Sequence, residues 1–163
     1  VIRVDVPGLG PLEIRWIVTD YTGTHAFGGT LRDGVRSRLA RLAARVDIHV
    51  ITADTFGTAR RELDGVPVTV HLLAPGEPHD AQKLRVATAQ AIDLRHAAAF
   101  GNGNNDRVLL RAVRDAGGLA VAVDNGEGCA LDALLSASLF ITGAENALDL
   151  LLEPDRARAT LRG

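Results

Sequence analysis

Short apolar, β-branched runs alternate with segments of helical period along almost the whole of this chain. "LEIRWIV", "VDIHVIT", "VPVTVHLL", "HAAAF", "LAVAV" and "SLFIT" read as strands. Between them, residues 33–44, 80–92, 105–115, "GCALDALL" and "ENALDLLL" carry apolar residues at helical spacing, and a shorter helix is expected after "TADTFG". Strand and helix in strict alternation, at the length of βα units, predict an α/β fold with a mostly parallel central sheet covered on both faces. Crossovers in such a sheet are right-handed. "VIRVDV" before the "PGLG" turn predicts a leading strand or hairpin arm, followed by one strand that ends near Thr19. Residues 24–32 read as an exposed flap, Asp33 as the cap of the helix after it, and the arginine-rich end beyond Pro154 as a loosely packed tail. At 163 residues, with no break in composition and no repeat, the chain predicts a single three-layer domain over 1–163.

Charge and cysteine content narrow the function classes. The formal charge of −2 offers no basic surface for nucleic acid. No apolar run reaches membrane-spanning length, and the first residues lack a basic-then-apolar leader pattern. A lone cysteine, Cys129, rules out an internal disulfide and points to a reducing cytoplasm. Of the 18 basic residues all but Lys83 are arginine, so the one compact ammonium group is worth following.

In open α/β sheets ligands bind beyond the carboxyl ends of the strands. Asp20 ends the first long strand, Thr52 ends the next, Lys83 lies at the start of a later helix, and "GNGNND" at 101–106 follows another strand. Brought to one edge, these supply carboxylates, a hydroxyl and an ammonium, an inventory suited to a phosphoryl group with a divalent cation. Mg2+ takes a few carboxylates plus waters and phosphate oxygens. Each residue also has an ordinary reading: Asp20 as a turn residue, Thr52 as a strand end, Asn105 and Asp106 as helix caps, Lys83 as a solvated helix residue.

Taken in order, "DYTGT" at 20–24, "VIT" at 50–52, Lys83 and "GNGNND" resemble the four motifs of the haloacid dehalogenase (HAD) superfamily. The first motif is similar to the Asp-Lys-Thr-Gly-Thr of P-type ATPases, and "TAD" at 52–54 to their Thr-Gly-Asp, so the likeness is to the soluble, capless members of P-type-ATPase type. The resemblance implies the three-layer Rossmann-like fold of that superfamily and a Mg2+-dependent phosphatase or phosphotransferase. In that reading Asp20 is the nucleophile that becomes an aspartyl-phosphate. Thr52, Lys83 and Asn105 contact the phosphoryl group. Asp20, the Thr22 carbonyl, Asn102 and Asp106 hold Mg2+. Thr22 is also the catalytic position at which the phosphatases of the superfamily carry a second aspartate as general acid and base. A hydroxyl serves poorly there, so slow turnover of a phosphorylated substrate is expected, unless Glu127 or His25 comes within reach. Asn102 costs the metal site one negative charge relative to the aspartate usual at that position. Asp54 is a candidate contact to a leaving group. The competing reading is a phosphoryl-binding or regulatory protein with little turnover. The 32 positions from Asp20 to Thr52, and the 31 from there to Lys83, leave no room for a cap domain, and an open site of this kind suits closure by another copy in a homo-oligomer.

Overall fold

The computed structural model describes residues 1–163. An antiparallel hairpin leads, β1 (Ile2–Val6) against β2 (Gly10–Ile14). Then come β3 (Trp16–Thr19), the small antiparallel pair β4 (Ala26–Phe27) and β5 (Thr30–Leu31), and α1 (Val35–Ala43). β6 (Asp47–Thr52), α2 (Ala59–Glu62), β7 (Thr69–Leu72) and α3 (His79–Ala89) follow. The remainder is β8 (Ala97–Gly101), α4 (Arg107–Asp115), β9 (Leu119–Asp124), α5 (Leu131–Ser136), β10 (Leu139–Thr142), α6 (Ala144–Leu152) and α7 (Pro154–Leu161).

Six strands form one sheet in the order β7-β6-β3-β8-β9-β10, and every neighbouring pair is parallel. β8 and β9 are buried along their length except at Asp124, which is why they read as continuous apolar runs rather than alternating ones. One face packs on α1, α6 and α7 and on the apolar side of the hairpin, where Ile2, Val4, Val6, Leu12 and Ile14 point inward. The other face packs Val18, Ile51, Ala97, Ala99 and Ala120 against α3, α4 and α5. The chain runs outward in one direction from β3 through β6 to β7, and in the other from β8 through β9 to β10. The order reverses between β3 and β8, and at such a switch point the loops on either side diverge and open a crevice at the carboxyl edge.

Three local expectations change. "LEIRWIV" is two strands: the chain leaves the hairpin at Ile14 and enters the sheet at Trp16. Arg15 bridges them, donating its amide to His96 O and accepting from Asp47 N, at 2.8 and 3.0 Å. The segment after Pro154 is helical and packed, with Pro154 at the first turn, where its missing N–H costs nothing, and Ala157 fully buried. Asp33 does not cap α1; that position is Gly34 at φ 77°, with no side-chain cap. No helix is long and apolar enough to cross a membrane.

Candidate active site

Asp20 leaves the carboxyl end of β3, and its amide still donates to Phe100 O of β8 at 3.0 Å. Across the switch point, the loop after β8 turns back so that Asp106 faces the same spot. Lys83 reaches in from α3 and joins them: its Nζ lies 2.9 Å from Asp20 Oδ1 and 2.6 Å from Asp106 Oδ1. All three side chains are at most 5% exposed. A buried ion cluster of this kind survives only when every charge is met. Burial pulls the Lys83 ammonium down, but the two carboxylates outweigh it and hold its pKa above the ordinary lysine value. Burial and the Asp106 charge push Asp20 up to about 6 against the pull of Lys83.

Asp106 Oδ2 accepts the Asn102 and Gly103 amides at 2.9 and 3.0 Å. That arrangement needs a glycine at 101, because a Cβ there would lie 2.4 Å from Asp106 Cγ. The Asn102 amide lies over Gly23, whose φ is +77°, with Nδ2 donating to Gly128 O at 3.2 Å and Oδ1 accepting from Thr24 Oγ1 at 3.3 Å. Asn105 folds back over Gly103. Thr52, on the β6 side, accepts the Asp54 amide at 2.9 Å and keeps its own O–H to donate. Thr22 Oγ1 is buried without a partner, and no backbone amide donates to the Thr22 carbonyl.

Asp20, Thr22, Thr52, Lys83, Asn102, Asn105 and Asp106 therefore all stand at the carboxyl edge of the sheet, on the two sides of the switch point. Other expectations are corrected. Asp54, at φ 51°, turns its Oδ1 to the Thr58 and Ala59 amides and so caps α2. Glu127 reaches the flap instead, with Oε1 accepting the Gly28 amide at 2.7 Å. The first arm of the flap is buried at Thr24, His25 and Ala26, while Phe27, Gly28, Thr30 and Arg32 are open to solvent. His49 and His71 bond each other, and His96 Nδ1 bonds Glu13 O.

The loop after β9 is a part of the site that its sequence signalled only weakly, through the turn residues "DNGEG". Asp124 Oδ1 holds the Gly126 and Gly128 amides, and Ala130 N donates to Asn102 O at 2.7 Å. Asn125 Nδ2 donates to Ala26 O at 2.9 Å. One loop thus fixes both Asn102 and the root of the flap.

His25 is not a surface contact but a core residue, with Nε2 2.8 Å from Thr19 Oγ1. The Thr19 hydroxyl gives its proton to Asp20 O at 2.9 Å, so Nε2–H must be the donor to Thr19 and Nδ1 is left bare. Burial lowers the His25 pKa to about 4. The unfolded chain therefore takes up a proton that the native state refuses, and stability present above about pH 6.5 is lost as pH falls toward 4. The loss approaches about 3 kcal/mol at its limit. Urea unfolding near neutral pH and near pH 5 is expected to show a drop about 2 kcal/mol steeper in the wild type than in His25→Gln; parallel curves would contradict the buried neutral ring.

None of the larger surface hollows touches Asp20. One of about 410 Å³, lined by Arg15, Trp16 and Arg45, lies at the amino edge of the sheet. The reactive side chains sit just under the surface of the carboxyl edge, with Asp20 5%, Asp106 2% and Thr52 1% exposed.

No protein-family model matches the chain. Over 64 residues it is 39% identical to an uncharacterized protein of Methanocaldococcus jannaschii, a match covering 39% of this chain and 64% of that relative. The shared segment is thus under two thirds of that protein's length. Among solved structures, 3-deoxy-D-manno-octulosonate 8-phosphate phosphatase from Moraxella catarrhalis, in complex with magnesium, phosphate and its sugar acid, superposes with a TM-score of 0.66. It is 16% identical and covers 91% of this chain and 94% of its own. The cobalt-bound Haemophilus influenzae phosphatase for the same compound gives 0.64 at 13% identity, covering 91% of each chain. A haloacid dehalogenase-like protein from Streptococcus pneumoniae gives 0.61 at 13% identity, covering 86% of this chain and 98% of its own. The likeness is one of fold, and the fold is that of the haloacid dehalogenase superfamily.

Proposed function

We propose that this chain, built on the haloacid dehalogenase-like fold, is a magnesium-dependent phosphatase or phosphotransferase that works through an aspartyl-phosphate on Asp20. The observation that carries the reading is the Lys83 ammonium seated between Asp20 and Asp106 at the switch point of a parallel sheet, with the Thr52 hydroxyl on the neighbouring strand. A carboxylate can accept a phosphoryl group when it is held in line with the leaving oxygen. Catalysis of this transfer is positioning and charge stabilisation. Thr52 and Lys83 supply donors to the phosphoryl oxygens, and Asn105 supports them from the opposite loop.

The donor set fits Mg2+. Two buried carboxylates share one ammonium, which leaves a net negative charge, and the Thr22 carbonyl has no amide to satisfy it. The donors present are oxygens only, a set that suits a hard cation keeping waters and phosphate oxygens as its other ligands. Asp20, the Thr22 carbonyl and the Asn102 amide oxygen would hold it. Asp106 has its oxygens committed to Lys83 and to two loop amides, so we place it as the residue that positions Lys83 and Asn102 rather than as a direct ligand. Bound there, Mg2+ would neutralise charge on the transferring group.

The test is acid-quenched phosphorylation with a labelled phosphate donor, with and without Mg2+, together with steady-state phosphate release. A Mg2+-dependent, hydroxylamine-sensitive phosphoprotein is expected. Binding of Mg2+ and beryllium fluoride without phosphoprotein or release would favour the non-catalytic reading. Absence of all three would overturn both.

A further inference from the structure

We infer that Thr19 and His25 are a positioning pair for the nucleophile, holding in place the peptide unit that joins Asp20 to Tyr21. This rests on the phosphoryl-transfer reading above and adds two residues to it. Sheet pairing ends at this peptide. The Asp20 amide is still taken by Phe100 O, at 3.0 Å, but no backbone amide donates to Asp20 O. The donor there is the Thr19 hydroxyl, at 2.9 Å. A hydroxyl has one proton to give, so the 2.8 Å contact between Thr19 Oγ1 and His25 Nε2 is donated by the ring. The other end of the same peptide unit is the Tyr21 N–H. Burial and the Asp106 charge raise the Asp20 pKa, and the Tyr21 amide acts with Lys83 in opposing them. Contacts therefore run from the imidazole N–H through the hydroxyl and one rigid, planar peptide to the carboxylate. Thr19 lies two positions from Ile17 and shares its face of the sheet, towards α1 and α6. Lys83 holds Asp20 Oδ1 from α3, on the opposite face.

Packing alone does not ask for these two side chains. Both are 1% exposed, and the His25 ring lies 6.1 Å from that of Phe100, tilted by 50°. Burying two polar groups costs free energy that the hydrogen bond between them offsets only in part. The neutral ring adds the acid-side instability derived above. Valine and leucine would fill the same space without that cost, since replacing both members of a buried polar pair by apolar groups of similar shape is close to neutral. The pair makes one side-chain hydrogen bond outside itself, and its acceptor is the nucleophile's own carbonyl. Without that bond the Asp20–Tyr21 peptide is free to turn, the Tyr21 N–H leaves the carboxylate, and Lys83 alone is left to aim it. A misplacement of about 1 Å at a reacting group costs about 10²-fold in rate.

The experiment follows single-turnover phosphorylation of Asp20 by acetyl phosphate in Mg2+, over a range of donor concentrations, with urea unfolding of each protein alongside. In that reaction an Asp20 oxygen bonds to phosphorus as acetate departs with the bonding pair. Wild type is compared with Thr19→Val, with Thr19→Ser, and with Thr19→Val combined with His25→Leu. Thr19→Val is expected to lower the rate at saturating donor by about 10 to 10²-fold. The half-saturating concentration should stay unchanged, because Thr52 and Lys83 still meet the phosphoryl group. Thr19→Ser keeps the hydroxyl and should restore most of the rate. The double variant should unfold at a urea concentration equal to or above that of the wild type and yet stay as slow as Thr19→Val, a combination that a merely structural pair would not produce. Should Thr19→Val alone fail to fold, Thr19→Ser and the double variant carry the test, since neither leaves the His25 N–H without a partner. A double variant that labels at the wild-type rate, or a Thr19→Ser protein as slow as the double variant, would overturn the inference while leaving phosphoryl transfer intact. A double variant that does not fold would make the pair part of the scaffold and do the same. Failure of acetyl phosphate to label the wild type would instead remove the phosphoryl-transfer reading, and this inference with it.

Discussion

Lys83→Met lowers the unfolding free energy by about 3–5 kcal/mol and abolishes phosphoryl transfer. The stability loss follows from what the lysine leaves behind, not from the worth of its own contacts. Asp20 and Asp106 are 5% and 2% exposed, and each has an oxygen within 2.9 Å of the same nitrogen. Without it, two carboxylates face each other beyond the reach of solvent, a few ångströms apart, at about 4 kcal/mol of repulsion for an effective dielectric of 20. Methionine keeps the length and the apolar packing of the lysine stem, so a cavity does not account for the loss. The second arm is Lys83→Met combined with Asp106→Asn, in which the amide oxygen can still accept the Asn102 and Gly103 amides. Removing one of the two facing charges should return a large part of the stability, giving a coupling of about 1–3 kcal/mol. Urea unfolding in the presence of a chelator measures both. A Lys83→Met protein as stable as the wild type would mean that the ion cluster is not a feature of the molecule in solution.

Why Lys83 and its partners were legible in the sequence, and other features were not, has a physical reason. In a parallel sheet all strands point one way, so Asp20, Thr52 and the loop after β8 reach one edge whatever the strand order is. Sequence position alone therefore placed them. Lys83 stood out because it is the only ammonium in a chain otherwise basic through arginine. The orientation of Asp106 was not legible. "GNGNND" says that a turn carries polar oxygens, but which oxygen meets which amide depends on how closely Gly101 lets the side chain approach. His25 was misread for a similar reason. A threonine- and glycine-rich stretch after a strand looks solvated, yet His25 turns inward to Thr19 and the Phe100 ring, and Asn125 and Glu127, a hundred positions on, bond the backbone at Ala26 and Gly28. The run "LEIRWIV" has a strand's pattern throughout, and periodicity does not say that Arg15 carries the chain from one sheet to another. α7 was masked by composition. Its arginines suggested a loose tail, yet Ala157 and Leu161, four positions apart, put an apolar stripe against the core.

Asp20→Asn separates the two consequences that Lys83→Met combines. An amide has no anionic oxygen to form the new bond to phosphorus, so the phosphoprotein disappears and turnover falls by about 10⁴-fold or more, the scale of nucleophile removal elsewhere. Stability moves the other way. Burial and the Asp106 charge raise the Asp20 pKa to about 6 in the native state. A carboxyl group raised above its unfolded value contributes stability at low pH that is lost as pH rises through about 6, so at neutral pH the ionised Asp20 is a burden on the fold. The asparagine removes that burden and leaves Lys83 paired with Asp106. In metal-free buffer Asp20→Asn should therefore unfold at a urea concentration equal to or above that of the wild type, while labelling no phosphoprotein with any donor. Native structure without chemistry is the signature of a residue retained for its reactivity. An Asp20→Asn protein that still forms a hydroxylamine-sensitive phosphoprotein at the wild-type rate would place the nucleophile elsewhere, and a protein that unfolds as readily as Lys83→Met would make Asp20 a member of the scaffold.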